Sequence, residues 1–200
     1  MKMPLFRAAL TTAVVVVVAL PVAASAASLT IDDATGDTHL GKYDESTDTT
    51  TYEPAGSQVN ADLDRVVVKH TARVVRAKAT YVDLKRSSDN AIMYMLRLRT
   101  NEGLKRDVLV ETFMSGKRGS VMFGKPNGDD AKCRGLDHVI DYAADSITIT
   151  VPRRCLSGPR YVEAFTAAAA LSDQGDQYID HGHMAEMKEK VVWSEKVRKG

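Results

Sequence analysis

Three aspartates near the start of the chain have the composition of a cation site. Asp32, Asp33 and Asp37 lie close together around Gly36. Calcium takes six to eight oxygen ligands, and short acidic loops can supply carboxylate oxygens for it. The spacing is not that of an EF-hand loop. Calcium is therefore a candidate cofactor, and the competing interpretation is an Asx-type turn with solvated carboxylates.

Two histidines near the end of the chain form a second candidate metal site. His181 and His183 are separated by one residue, so both side chains would point to the same face of a strand. Imidazole pairs of this kind bind zinc or copper once a third ligand is added. Asp180 or His138 could supply it. Exposure of both histidines in a polar tail is the competing interpretation.

The motifs of other chemistries are missing or unspecific. The sequence contains no G-x-S-x-G nucleophile elbow, and residues 116–119 lack the strand–helix context of a phosphate loop. A glycosidase needs two facing carboxylates, and the sequence alone cannot choose a pair. Tyr43, Tyr52 and Tyr178 lie in polar segments and could stack on a sugar ring, or they are ordinary surface tyrosines. We therefore assign no catalytic residue.

The first 26 residues have the pattern of a secretory signal peptide. Lys2 and Arg7 precede an apolar stretch over residues 8–20, Pro21 interrupts it, and Ala24-Ser25-Ala26 offers a cleavage site. The apolar stretch is shorter than the roughly 20 residues that span a bilayer. We expect cleavage after Ala26 and a secreted, extracellular protein that no longer contacts the membrane.

The two cysteines of the chain, Cys133 and Cys155, are predicted to form a disulfide. An even number of cysteines in an exported protein favours this pairing over a metal pair or a reactive thiol. Strands over residues 136–142 and 147–151 would form a hairpin around residues 143–145, with the cysteines at its open end. The closed loop would stabilise the fold by about 3 kcal/mol.

The net charge gives no reason to expect nucleic acid or an anionic membrane as a partner. Removal of residues 1–26 leaves 25 basic and 26 acidic residues, a net charge of −1. The densest basic groups along the sequence are pairs, such as Arg153-Arg154. We therefore expect no binding to nucleic acid or to an anionic membrane.

The elements that must position these residues are predicted to be strands. Apolar and β-branched residues alternate with polar ones, and turn signals separate the segments, which is typical of half-buried antiparallel strands. The predicted strands cover residues 62–71, 73–84, 92–98, 108–113, 120–123, 138–142, 147–151 and 161–171. We predict an all-β fold, an antiparallel β-sandwich or jelly roll, with one disulfide.

The predicted organisation has three parts. Residues 1–26 are the signal peptide, residues 27–61 are a polar segment with an early strand at 29–31 and a long excursion after it, and residues 62–200 are the sandwich domain. The tail over residues 184–199 mixes charges and is predicted as a short helix or a final strand.

Two motifs of the chain are a D-x-x-G-D start at residues 33–37 and a V-P-R-x-C-L block at residues 151–156. Through these motifs the chain resembles a group of secreted actinobacterial β-sandwich proteins of unknown function. The resemblance covers about residues 29–171. Ala34 stands where proline is usual, and the charged tail departs from the group. The resemblance implies a sandwich distantly similar to carbohydrate-binding modules and brings no catalytic residues.

These observations favour a secreted, non-enzymatic binding module whose ligand is a glycan, the cell wall or a protein. A small secreted hydrolase with a site assembled from scattered residues, and a structural envelope protein, are the alternatives. Fold alone does not decide among them.

Overall fold

The computed structural model describes residues 27–86, 90–113, 116–172, 175–183 and 191–200. The predicted signal peptide lies outside these residues, and so does the part of the predicted tail element over residues 184–190. The described part of that tail contains a short final strand, Val197–Arg198. Among the described residues, no helix is long and apolar enough to cross a membrane.

The described chain forms two antiparallel sheets. The five-stranded sheet has the order β1 (Ala27–Asp32), β4 (Leu63–His70), β5 (Val74–Tyr81), β10 (Ser146–Pro152) and β9 (Asp137–Asp141). The eight-stranded sheet has the order β3 (Thr49–Gly56), β2 (Thr38–Asp44), β12 (Gln177–His181), β11 (Tyr161–Ser172), β6 (Asn90–Thr100), β7 (Lys105–Glu111) and β8 (Ser120–Gly124), and β13 (Val197–Arg198) pairs with β11. Two 3-10 turns occupy Gly116–Arg118 and Arg153–Leu156.

The all-β sandwich predicted from the sequence is confirmed. The alternating apolar residues of the central strands point between the sheets, where they form one core. In β5 and β10 this alternation buries Val75, Ala77, Ile147 and Ile149 and leaves the residues between them on the outward face. Burial of this kind stabilises by about 25 cal/mol per Å² of apolar surface.

The segment after the early strand is more regular than the sequence suggested. The strand predicted at residues 29–31 is present as β1, which pairs with β4. The polar residues beyond it form the β2–β3 hairpin instead of an irregular excursion. The hairpin is mostly exposed, so apolar patterning was a weak signal for it, and backbone pairing to β12 attaches it to the larger sheet.

The predicted disulfide and its hairpin are confirmed. Strands β9 and β10 pair around the turn at residues 142–145, and Cys133 and Cys155 are joined with a Cα–Cα distance of 5.4 Å. The bond links the segment before β9 to the 3-10 turn after β10. It therefore closes the open end of the hairpin, where the sequence placed it.

Candidate functional site

Three carboxylates from two distant parts of the chain meet at one end of the sandwich. One oxygen from each of Asp33, Asp37 and Asp180 lies within 4.8 Å of the others. Asp33 follows β1 and Asp37 precedes β2, so both lie where the chain crosses from the five-stranded to the eight-stranded sheet. Asp180 lies on β12 of the eight-stranded sheet. We call these three residues the carboxylate cluster.

Strand alternation directs Asp180 into the sandwich. It pairs with Ala168, whose small side chain leaves room beside it, and only 1% of its surface is exposed. Its Oδ2 accepts a 2.7 Å hydrogen bond from the backbone amide of Leu63 on the opposite sheet. Its Oδ1 is buried and has no hydrogen-bond partner in the part of the chain that the structure describes.

A tight turn brings the other two aspartates to the same place. Gly36 has φ +79°, a conformation that glycine adopts without strain. Its amide donates to both carboxylate oxygens of buried Asp62, at 3.1 and 3.0 Å. Oδ1 of Asp33 accepts a 2.7 Å hydrogen bond from the amide of His183. The turn is therefore fixed to both sheets.

The cluster contains more acceptor oxygens than donors. Oδ2 of Asp33, both oxygens of Asp37 and Oδ1 of Asp180 are buried and have no hydrogen-bond partner among the described residues, and the same holds for the hydroxyl of Thr166, a fully buried residue. A Cβ atom placed on Gly182 would lie 2.5 Å from Thr166 Oγ1 and 3.6 Å from Asp33 Oδ2. The hydroxyl thus borders the cluster. Ionised carboxylates are acceptors only, so a proton or a cation must balance them.

Burial and mutual repulsion make these groups hold protons strongly. Burial, with the charge of Asp33 adding to it, raises the pKa of Asp180 to about 8. Burial likewise raises the pKa of Asp33 to about 6, and the neighbouring Asp37 adds to the effect. Burial also raises the pKa of Asp37. A cation among these oxygens would reverse the trend, because it favours the ionised form.

The structure brings together two of the three aspartates predicted from the sequence. Asp32 is exposed and its Oδ1 accepts a 3.0 Å bond from Arg65 Nε, in an ion pair on the sheet surface. Consecutive strand residues point to opposite faces, which separates Asp32 from Asp33. Asp180 takes the third place, and the sequence signal for it was the polar stretch of residues 180–183.

The histidines do not form the predicted pair on one strand face. Strand β12 ends at His181, and His183 follows in a turn with φ +93°. The ring of His181 packs edge-on against Phe165, and Nε2 of His183 hydrogen-bonds the carbonyl of Val192. His138 instead bonds the carbonyl of Arg118. Within the described ranges, neither His181 nor His183 belongs to the carboxylate cluster.

The three tyrosines lie around the β2–β3 hairpin but not on one face. Tyr52 stands opposite Gly41, and Tyr43 lies two residues further along β2, so these two share a face. Tyr178 stands opposite Leu40 and therefore points to the other face. Tyr43 and Tyr52 are exposed, and the Tyr43 hydroxyl donates to Asp48.

Burial lowers the pKa of both His181 and His183, and the nearby His39 adds to the effect on His181. Burial therefore favours the neutral form of both rings. A neutral imidazole ring adds no positive charge next to the carboxylates of the cluster.

Comparison with known proteins gave no match of significance: no family model, no curated protein and no solved structure is similar to the chain.

Proposed function

We propose that the protein is an exported, non-enzymatic β-sandwich that binds calcium through Asp33, Asp37 and Asp180 and serves as an extracellular binding module. The observation that carries the proposal is the convergence of three carboxylates, each with at least one buried oxygen that has no hydrogen-bond partner among the described residues. An acceptor-only site of this kind attracts a cation that oxygen ligands suit.

The chemistry of the donors favours calcium over zinc or copper. Zinc and copper sites use imidazole or thiolate ligands. The cluster contains neither, since His181 and His183 lie outside it and both cysteines are in the disulfide. Asp62 and Thr166, both fully buried, add further oxygens at the border of the cluster. Hard oxygen ligands are those that calcium prefers.

A binding role fits the geometry better than the alternative of a hydrolase. A general acid must reach the reacting atom of its substrate, and Asp180, with the most strongly raised pKa among these aspartates, is 1% exposed. A structural envelope protein remains the second alternative.

Export is the other half of the proposal. The charged start, the apolar stretch and the A-x-A site of residues 1–26 support it, as does the disulfide, because such bonds persist in oxidising compartments. The resemblance to secreted actinobacterial sandwich proteins points the same way. The extracellular ligand is proposed to be a glycan, the cell wall or a protein.

The calcium site is tested by thermal melting of the exported protein in calcium and in chelator. At a hundredfold excess over the dissociation constant, calcium stabilises by roughly 2.7 kcal/mol, which raises the melting temperature by roughly 5–10 °C for a chain of this size. The double variant Asp33→Asn with Asp37→Asn should abolish this increase. The single variant Asp180→Asn should abolish it as well.

Asp32→Asn is the matched control. It makes a single Asp-to-Asn change, as Asp180→Asn does, at a residue that lies outside the cluster, and it should retain the full response to calcium. Equal melting temperatures of the unmodified protein in calcium and in chelator would refute the site. A response lost in Asp32→Asn to the same extent would refute its assignment to these residues.

A further inference from the structure

The outward face of the five-stranded sheet gathers basic side chains that are far apart in the sequence. Lys69 on β4 stands directly opposite Arg76 on β5, and Lys78 stands opposite Val67 in the next row. Thr150 and Thr148 of β10 continue these two rows. Lys69, Arg76, Lys78, Val67 and Thr148 line an open groove of about 310 Å³. We call Lys69, Arg76 and Lys78 the basic row.

The basic row has no anionic partner in the part of the chain that the structure describes. The cation closest to it on β4, Arg65, pairs with Asp32, whereas none of the three residues of the row forms an ion pair. The nearest acid in its rows is Asp137 on the edge strand β9, beyond Thr150. Like charges directly opposite each other destabilise a sheet, so an external anion would relieve a repulsion that the fold maintains.

A second basic groove continues the first along the same strand. Val74 at the start of β5 lines it, together with Arg73, Arg153 and Arg154. Arg153 and Arg154 are anchored there because their guanidinium groups donate to the backbone carbonyls of Pro159 and Arg134. The distance along β5 from residue 73 to residue 78 is about 17 Å at the rise of an extended strand. The two grooves therefore form an elongated basic track.

We infer that this track binds a linear acidic polysaccharide outside the cell. An extended chain of sugars with regularly spaced carboxylate or sulfate groups matches a track of separated cations. Threonine hydroxyls beside it can bond sugar hydroxyls, and Val67 supplies an apolar floor. The two rows contain no aromatic ring on which a nucleic-acid base could stack. The inference rests on the proposed export and is independent of the calcium site.

The test is a binding titration of the purified, exported protein with heparin as the acidic polysaccharide. Arg76→Gln with Lys78→Gln should weaken binding at least about tenfold, since two charge-assisted contacts are lost. The slope of log Kd against log salt should fall by about two. The double variant Lys42→Gln with Lys125→Gln is the matched control. It removes the same charge from exposed residues on or next to the eight-stranded sheet. Its affinity for heparin should stay within about twofold of that of the unmodified protein.

Three results would overturn the inference. Heparin does not bind the protein, neutral dextran binds it as tightly as heparin does, or both double variants lose the same affinity for heparin. Tighter binding to single-stranded poly(dT), or to vesicles containing phosphatidylglycerol, would assign the track to a different class of partner. Melting of Arg76→Gln with Lys78→Gln in calcium and chelator is measured in parallel. A melting temperature in chelator close to that of the unmodified protein shows that the variant is folded, and the calcium response measured beside it reports on the calcium site alone.

Discussion

The backbone amide of Leu63 on one sheet donates a 2.7 Å hydrogen bond to Oδ2 of Asp180 on the other. This bond crosses the sandwich at the carboxylate cluster and joins positions 117 residues apart in the chain. Because the other oxygen of Asp180 is buried with no hydrogen-bond partner within the described ranges, the ionisation of this side chain is coupled to the packing of the two sheets.

The first prediction concerns the pH dependence of stability in chelator. Between pH 7 and pH 9 an unfolded aspartate is already ionised, whereas folded Asp180, with its pKa raised to about 8, still releases a proton. The folded state therefore binds more protons, and the free energy of unfolding falls as pH rises. The slope is at most about 1.4 kcal/mol per pH unit. His181 and His183, with lowered pKa values, are neutral throughout this window.

Urea unfolding at several pH values measures this fall. Asp180→Asn should flatten the profile, and calcium should reduce it in the unmodified protein, because the cation replaces the proton. A profile in chelator that is already flat between pH 7 and pH 9 would contradict the assigned role of Asp180.

The second prediction concerns the absence of a side chain at Gly182. A Cβ there would lie 2.5 Å from Thr166 Oγ1 and 3.3 Å from Leu63 Cδ1, so neighbouring atoms would have to move. Gly182→Ala should destabilise by about 1–3 kcal/mol, as overpacking does in a core, and should weaken calcium binding. Gly41→Ala is the control, because its Cβ would meet the ring of Tyr52 at 3.4 Å, near ordinary contact. Equal unfolding midpoints for the two variants would disprove the clash.

The third prediction concerns the disulfide. Cys133 and Cys155 are 22 positions apart, and closing a loop of this size in the unfolded chain stabilises the fold by about 3 kcal/mol. Cys133→Ser with Cys155→Ser should lower the free energy of unfolding by about this amount and leave the far-ultraviolet circular dichroism unchanged. Urea titration of both proteins at one pH provides the measurement. A difference within the error of the titration would show that the bond does not constrain the chain.

The fourth prediction compares two ion pairs between adjacent strands. Arg97 donates two hydrogen bonds, of 2.7 and 2.6 Å, to Asp107, and both side chains are about one-fifth exposed. Lys42 and Glu53 form a single contact and are more than half exposed. Double-mutant cycles should give a coupling of about 1–2 kcal/mol for Arg97–Asp107 and about 0–1 kcal/mol for Lys42–Glu53. The reverse order would contradict the expected effect of burial and geometry.

The fifth prediction concerns the mature start of the exported protein. Cleavage after Ala26 would leave Ala27, the first residue of β1, in its pairing with His70. A cut inside β1 would remove residues that pair with β4 in the five-stranded sheet. Amino-terminal sequencing of secreted protein should therefore begin at residue 27. Recovery of protein that begins with Met1 would refute the signal peptide.

Short-range patterns predicted the fold better than the site. Alternation identified the buried strands because it depends on neighbours within a few residues. The cysteine pair identified the open end of the β9–β10 hairpin because two cysteines allow only one pairing. The β2–β3 hairpin was harder to predict, since its strands are exposed and backbone pairing holds them.

The full membership of the carboxylate cluster could not be predicted from the sequence. Proximity along the chain grouped Asp32 with Asp33 and Asp37, but strand alternation turns Asp32 to the surface. Asp180 reaches the cluster only through the order of strands in the eight-stranded sheet, with β12 beside β2. The basic row has the same origin, since Lys69 and Arg76 meet by the register of β4 and β5. Neither assembly has a signature within a short window of sequence.

The bond from the amide of His183 to Asp33 spans 150 positions of the chain. A chain synthesised from its amino end exposes Asp33 long before position 180 emerges, so the cluster cannot assemble until almost all of the protein is available. Contacts of such long range form slowly and late. A chain that ends before β12 would leave Asp33 and Asp37 as solvated acids in a turn. Such a chain should bind a divalent ion more weakly than the full chain, so ion affinity would distinguish truncated from full-length protein.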